Sequence, residues 1–373
     1  MDLVSEMLSH YMVTEYGERF EVELVRPRFV GPSSGSHRKT GQRLYTAARL
    51  LNRFVVYPLW IMRNRARFDL FHIVDHSYGH LINHLPRERC VVTCHDLDTF
   101  KCILEPGSEP RSWAFREMTR RILKGFRKAA RVICVSEATR YEIVRRGLVA
   151  RERVSVIANG VHPSFTVVAD PDADAEIIRL LGPQDQGAIE MLHVGTTHPR
   201  KRIDLLLNIF ASVRAKFPGA RLVRAGGGLS DDHRRLANRL GVSEAITILP
   251  FVERRILAAA YRRADVVVLP SEAEGFGLPV AEAMACGVAV VASDLPALRE
   301  VGGDAICYCP VGNVDAWRCA IVRVIEGSVK EGPEFIEARD RELRQAAQFC
   351  WSENAKRTAY TYCDLLQTAA PQT

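Results

Sequence analysis

Two carboxylates eight positions apart, Glu274 and Glu282, flank a turn rich in glycine. Glu274-Gly275-Phe276-Gly277-Leu278-Pro279 runs directly into Val280-Ala281-Glu282-Ala283-Met284-Ala285-Cys286-Gly287. A carboxylate accepts two hydroxyl hydrogen bonds at once, which suits the diol of a sugar. Pro279 fits the first turn of a helix and Gly287 fits its stop. The pattern therefore predicts a helix that opens after Gly277. Its unpaired N–H groups and the positive end of its dipole favour an anionic or polyhydroxyl ligand. On this reading Glu274 lies in the loop, Glu282 lies in the opening helical turn, and both face one cleft.

A second constellation is Gly195-Thr196-Thr197-His198-Pro199-Arg200-Lys201, between the strand pattern 190–194 and the helix pattern 203–207. Turns of this kind sit at the carboxyl ends of parallel strands, where α/β sheets place ligands. Arg200 offers a forked donor and Lys201 a point charge, a pairing that suits a diphosphate. Cations are unfavourable at a helix amino end unless an anion is near. Arg202, next in line, reads as surface. A third group is His95-Asp96, which ends the strand pattern Val91-Val92-Thr93-Cys94. His95 suits a sugar hydroxyl, with Asp96 orienting its ring. His72, His76, His80 and His84 are spaced by four, as metal ligands on a helix would be. His72 falls in a strand pattern, however, so the four do not share a face, and no metal is expected. Asp75, His76, Ser77 and Tyr78 follow that strand's end and are placed for acceptor contact. Gly226-Gly227-Gly228 follows another strand and lets a phosphate or base approach. No dinucleotide fingerprint accompanies it.

These groups need elements to hold them. Strand and helix patterns alternate along the chain, which predicts parallel α/β sheets. The first half offers strands at 20–25, 70–74, 90–94, 130–135 and 154–157. The second offers them at 190–194, 220–225, 245–249, 266–269, 289–292 and 305–308. Residues 2–13 read as a helix with Leu3, Met7, Leu8, Tyr11 and Met12 on one face. Asn159-Gly160-Val161 and the acidic stretch 169–174 read as the linker between two halves. A length of 373 residues is comfortable for two cores, and 47% hydrophobic with 25% charged residues is ordinary for a globular protein. The ten cysteines form no C-x-x-C pair and read as reduced, mostly buried thiols. No secretory signal and no membrane-spanning run is present in the pattern. Residues 1–150 carry 25 Lys and Arg against 16 Asp and Glu, while the remainder carries 26 against 28. The excess gathers at 111–131 in a basic amphipathic helix. Such a helix either packs on a sheet or docks on an anionic lipid or acceptor. No nucleic-acid motif accompanies it, so no nucleic-acid partner is expected.

The segment 270–287 resembles the E-x7-E signature of retaining glycosyltransferases of the GT4 family, which have the two-domain GT-B fold. That resemblance implies two Rossmann-like doubly wound parallel sheets facing a central cleft. It implies an acceptor-side domain at 1–165, a donor-binding domain at 166–350, and a last helix within 351–373 crossing back to the first domain. It implies transfer of a hexose from a nucleoside diphosphate sugar to a glycan or lipid-linked acceptor, with no cofactor and no metal. By resemblance Glu274 touches the transferred sugar and Glu282 holds the donor ribose. Arg200 and Lys201 neutralise the leaving diphosphate, and His95 reaches the sugar from the first domain. Gly275, Phe276, Gly277, Leu278, Asp96 and His76 line the site, and Phe251 lies where the donor base rests. The family begins with a strand and a glycine-bearing loop, which this sequence lacks before its first helix. The expectation is a start upstream of Met1. The expected location is cytoplasmic, with peripheral contact at the inner membrane face through residues 111–131. A sugar phosphorylase, or a non-catalytic sugar-nucleotide-binding subunit, is the rival reading.

Overall fold

The computed structural model describes residues 2–31, 39–107, 109–184, 187–327 and 332–369. Its chain divides into two units, residues 1–158 with 351–373, and residues 159–350.

The first unit holds a parallel sheet in the order β1-β2-β3-β4, formed by β1 (Phe71–Ile73), β2 (Cys90–Cys94), β3 (Arg131–Cys134) and β4 (Val154–Val156). Register is fixed by pairs such as Val92 with Val132 and Val132 with Val154. All five residues of β2 are buried, the continuous apolar run expected of a strand covered on both faces. Helix α1 (Asp2–Tyr16) turns Leu8 and Met12 inward. A helical run then extends through α2 (Lys39–Leu51), a π-turn (Asn52–Val56) and α3 (Tyr57–Asn64). The π-turn directly precedes Pro58, whose ring would clash with the Phe54 carbonyl in an unbroken α-helix.

One sequence expectation needs correction in this unit. Residues 20–25 form no strand. They join neither sheet, and Phe20 and Val22 pack against the cluster around Met12 and Tyr362. The four histidines share no single face, as the strand pattern at His72 suggested. His72 lies on β1, while His76–His84 is a 3-10 helix, whose period of three splits residues spaced by four. Among the described residues no three His, Cys, Asp or Glu side chains gather to hold a metal ion.

The basic helix is α4 (Trp113–Phe126), capped by Ser112. Its Ile122, Leu123 and Phe126 are buried in the core of this unit, so its apolar face is used internally. It lies so close to the 3-10 helix that a Cβ on Gly125 would stand 2.0 Å from the Gly79 carbonyl. That contact fixes the segment that begins with His76.

The second unit holds six parallel strands in the order β10-β9-β8-β5-β6-β7. They are β5 (Glu190–Val194), β6 (Arg221–Ala225), β7 (Ile246–Ile248), β8 (Val266–Leu269), β9 (Val290–Ser293) and β10 (Cys307–Cys309). Helix α5 (Ile203–Lys216) follows β5, α6 (Arg254–Arg263) precedes β8, and α7 (Leu278–Ala285) follows it. The four residues of β8 are fully buried, each contributing roughly 1.5–3 kcal/mol of burial. The strand order reverses between β5 and β8, so their carboxyl ends diverge and open a crevice in the sheet's edge. The acidic stretch 169–174 is not a linker. Asp170 caps a helix, Pro171–Leu181, and Asp172 and Asp174 sit favourably in its first turn. Asn159-Gly160-Val161 goes with this unit, where the Val161 N–H donates to the Phe349 carbonyl at 2.9 Å.

Helix α8 (Trp351–Ala369) returns the chain to the first unit. Its Ala355, Ala359, Tyr362 and Leu365 pack with Leu8, Met12, Val91 and Ile133. The Tyr362 hydroxyl lies 2.6 Å from His72 Nδ1, and Thr93 Oγ1 lies 2.8 Å from His72 Nε2. Burial lowers the His72 pKa to about 3, so this ring is neutral. All ten cysteines are free thiols. Among the described residues no helix is long and apolar enough to cross a membrane.

Candidate active site

The crevice between β5 and β8 is lined by the turns after these strands, and each carries part of one charged cluster. After β8, Pro270 and Ser271 are buried, and the loop bends at Glu272 and again at Gly275-Phe276, with Glu274 between. After β5, a 3-10 turn, Pro199–Lys201, delivers the two cations. Lys201 Nζ donates to Glu274 Oε1 at 2.5 Å, and Arg200 donates to Glu274 Oε2 at 3.1 Å. The Ser271 hydroxyl donates to the same Oε1 at 2.6 Å. Arg200 also binds the Ala273 carbonyl at 2.9 Å, and the Glu272 N–H donates to the Arg200 carbonyl at 2.7 Å. The side chains of Glu274, Lys201 and Arg200 are 6%, 10% and 22% exposed. Arg200, Lys201 and Glu274 are thus brought together, and the anion that offsets the two cations is Glu274.

Arg202 is more than surface. It has φ of +47°, the only positive value outside glycine among the described residues, and its guanidinium forks onto Asp204. A left-handed non-glycine residue costs of order 1–3 kcal/mol and is held there by its surroundings. The reversal lets the 3-10 turn end with Lys201 tucked against the sheet before α5 begins.

Gly277, at the amino end of α7, has φ of +104°, and a Cβ there would lie 2.4 Å from Leu298 Cδ2. Only glycine fits. Leu278 begins the helix and Gly275 precedes the turn. The Phe276 ring is buried edge-on against Phe349, with centroids 5.5 Å apart. Its side chain therefore supports the turn, and what it offers to a ligand is backbone. Glu282 lies in the second turn of α7, not the opening one as the sequence suggested. It is buried, accepts a hydrogen bond from the Tyr261 hydroxyl at 2.9 Å, and has its pKa raised by burial to about 7. Tyr261, on α6, is itself packed edge-on by Phe165 at 5.7 Å. Phe251, past β7, is fully exposed.

Sequence reasoning missed the group beneath these turns. Arg224, fully buried on β6, donates to the carbonyls of Gly195, Thr196 and Gly228 at 3.3, 3.1 and 3.0 Å. One guanidinium thus ties the turn after β5 to the triple-glycine turn after β6. Its neighbour across the ladder is His193, also fully buried, whose pKa burial lowers to about 3 beside the charges of Arg224 and Lys201. The signal was present: an arginine inside the apolar strand Leu222-Val223-Arg224-Ala225 is expensive unless its donors are satisfied.

In the first unit a second group gathers where β1 and β2 end. His95 Nε2 lies 2.8 Å from the Val74 carbonyl, so that nitrogen carries the proton and Nδ1 is the ring's acceptor. Burial lowers the His95 pKa to about 4. The His95 N–H donates to His76 Nδ1 at 3.4 Å, and His76 Nε2 stands 3.8 Å from Asp96 Oδ1. Asp96 was expected to orient the His95 ring. Instead the Val74 carbonyl holds that ring, and Asp96 faces His76 and accepts from the Asp98 N–H at 3.1 Å. The reason is local: an Asx turn bends the carboxylate back over residue 98.

Residues 6–165 match the family model described as Glycosyltransferase Family 4, and residues 188–327 match the model described as Glycosyl transferases group 1. Over 284 residues the chain is 31% identical to O-antigen chain mannosyltransferase B of Escherichia coli, covering 74% of this chain and 70% of that one. Over 243 residues it is 32% identical to D-inositol 3-phosphate glycosyltransferase of Mycolicibacterium smegmatis, covering 63% of this chain. That match spans 53%, about half, of the mycobacterial protein's length. The solved structure of Anabaena HepE in complex with UDP and glucose superposes with a TM-score of 0.67 at 19% identity, over 84% of this chain and 82% of that one.

Proposed function

The chain belongs to glycosyltransferase family 4, with the GT-B fold, and on that premise we propose that it is a retaining glycosyltransferase moving a hexose from a nucleoside diphosphate sugar to an acceptor hydroxyl. The observation that carries this reading is the Lys201–Glu274–Arg200 cluster at the point where the strand order of the second unit reverses. The incoming diphosphate exchanges with Glu274 as the partner of the two cations, which frees the Glu274 carboxylate for hydroxyls of the transferred sugar. The bond between the sugar C1 and the β-phosphate oxygen then breaks, and its electron pair leaves with the phosphate. Arg200 and Lys201 stabilise that charge where it develops. The acceptor oxygen bonds to C1 on the same face, and its proton passes to the departing phosphate oxygen. His95 offers Nδ1 as an acceptor suited to a hydroxyl and is not the base. The scheme uses no metal and no cofactor. The HepE complex supports a uridine nucleotide as the first donor to try, and the O-antigen relative supports a saccharide acceptor.

The test is thermal stabilisation of the full chain by UDP, GDP, ADP and NAD. One nucleoside diphosphate is expected to raise the melting temperature by several degrees at about a hundred times its Kd. Stabilisation by none of them would reject the assignment. Turnover with free phosphate in place of a nucleotide donor would favour the phosphorylase.

Glu282 adds a pH dependence. A carboxyl with a pKa near 7 must lose its proton before it can accept both ribose hydroxyls. Affinity for a nucleoside diphosphate sugar, whose diester phosphates do not titrate here, is expected to rise nearly tenfold per unit below that pKa and then level off. Glu282→Gln should flatten the profile and weaken binding by about 1–3 kcal/mol. A wild-type profile that is already flat rejects the ribose role. For stability the sign is opposite. Because the folded pKa is raised, the neutral form favours the fold below the ordinary carboxyl pKa, and that contribution, about 3 kcal/mol at most, is lost as pH rises through about 7.

A further inference from the structure

The helical run Lys39–Asn64 has two unlike faces. Inward, Asn52 bonds the N–H and carbonyl of Val30 at 2.8 and 2.7 Å, and Arg53 stacks over the Tyr78 ring while bonding the Ser77 carbonyl. Phe54 packs on His80 at 4.5 Å, and Ile61 is buried. That face is anchored. Outward, Leu44, Leu51, Val55, Leu59 and Met62 are each between 44% and 58% exposed. Their spacing of three, four and seven draws them into one stripe about 27 Å long. Val30, 53% exposed, is tied to the run through Asn52 on its inward face. Isolated exposed apolar residues need no explanation, but a continuous stripe marks a surface that meets something apolar.

Charge names the occupant. Residues 24–68 contain ten Lys and Arg and no Asp or Glu. Arg49, Arg63 and Arg65 on and just after the run are exposed. Arg26 and Arg67 pair with Glu6 and Glu23 and Arg53 faces inward, but the exposed Arg49, Arg63 and Arg65 join the apolar stripe in the combination that suits a helix lying in a lipid interface. A protein partner or a second copy would bring acidic side chains to meet the cations, and this stretch has none to return. We infer that the run Lys39–Asn64 lays its outer stripe into the surface of an anionic lipid bilayer. This moves the membrane contact away from α4, whose apolar residues are spent on the core apart from Trp113 and Phe115 at its amino end.

The test is flotation of the full chain with phosphatidylcholine vesicles, with and without phosphatidylglycerol. Binding is expected only with the anionic lipid, and raised salt should weaken it. The triple variant Leu51→Ser, Val55→Ser, Leu59→Ser should lose at least about tenfold of the bound fraction while keeping its circular dichroism, since these side chains already face water. Arg49→Gln with Arg63→Gln and Arg65→Gln should lose the preference for anionic lipid. Arg116→Gln with Arg120→Gln and Lys124→Gln, in α4, should bind as the wild type does. Failure of the wild type to float overturns the inference, as does a triple serine variant that still floats. So does a wild-type dimer that the serine variant dissociates, because a second copy would then own the stripe. Vesicle binding needs no turnover, so neither result bears on the transferase reading.

Discussion

Lys201→Ala is expected to lower kcat by about 10²- to 10³-fold while leaving a folded protein. Lys201 Nζ is the shorter of the two cation contacts to Glu274, 2.5 Å against 3.1 Å for Arg200, and its side chain is only 10% exposed. In so dry a place a cation has full effect on charge developing at a leaving diphosphate. Removing it costs ground-state binding as well, so affinity for the nucleoside diphosphate should fall. Arg200 and Ser271 still hold Glu274, which is why the fold survives. Purified variant and wild type compared in initial rate, nucleotide affinity and melting temperature decide the matter. Wild-type turnover in the variant would sink the diphosphate assignment.

Glu274→Gln should lower turnover by a similar or larger factor, and here the affinity moves the other way. Glutamine keeps the size and one acceptor oxygen, loses the bonds to the other, and removes the charge that competes with diphosphate for Arg200 and Lys201. The product nucleoside diphosphate should bind the variant as tightly as the wild type or more tightly. A buried carboxylate that merely stabilised the loop would behave differently. Its loss would leave two cations unpaired, lower the melting temperature, and impair nucleotide binding along with turnover. Isothermal titration beside steady-state kinetics separates the two accounts. Weakened nucleotide binding with ordinary turnover would reject the exchange of partners. The two variants thus predict opposite changes in product affinity from neighbouring atoms of one ion pair.

Most of the frame was legible in the sequence because parallel strands covered on both faces are written as unbroken apolar runs. Val266-Val267-Val268-Leu269 and Cys90-Val91-Val92-Thr93-Cys94 are strands in the structure within a residue of their apolar limits. Gly287 stops α7 in the left-handed conformation that its position suggested. What failed was whatever depends on a partner distant in sequence. Residues 20–25 have strand composition, but a strand exists only beside another. The acid-rich stretch near 170 looked like a linker because the same residues that favour loops also cap helices. The charged cluster was legible as separate motifs, Arg200-Lys201 and Glu274, yet nothing in their spacing says that they bind one another. The supports of the site were the least visible. Arg224, His193 and Tyr261 act through burial, and a single sequence does not distinguish a buried arginine that ties two turns together from a misplaced one.

The return of α8 has a consequence for the order in which the chain becomes a protein. Residues 159–350 are one uninterrupted stretch, and the second unit has every strand of its sheet in hand once Cys309 has been made. The first unit is begun earlier and finished later. Leu8, Met12, Val91 and Ile133 wait for Ala355, Ala359, Tyr362 and Leu365, which are made only after the whole of the second unit. The half made first is therefore the half completed last, and its apolar floor stands open throughout synthesis of the other. A premature stop codon near residue 350 would not trim a tail. It would leave the second unit whole and unroof the first, an aggregation lesion.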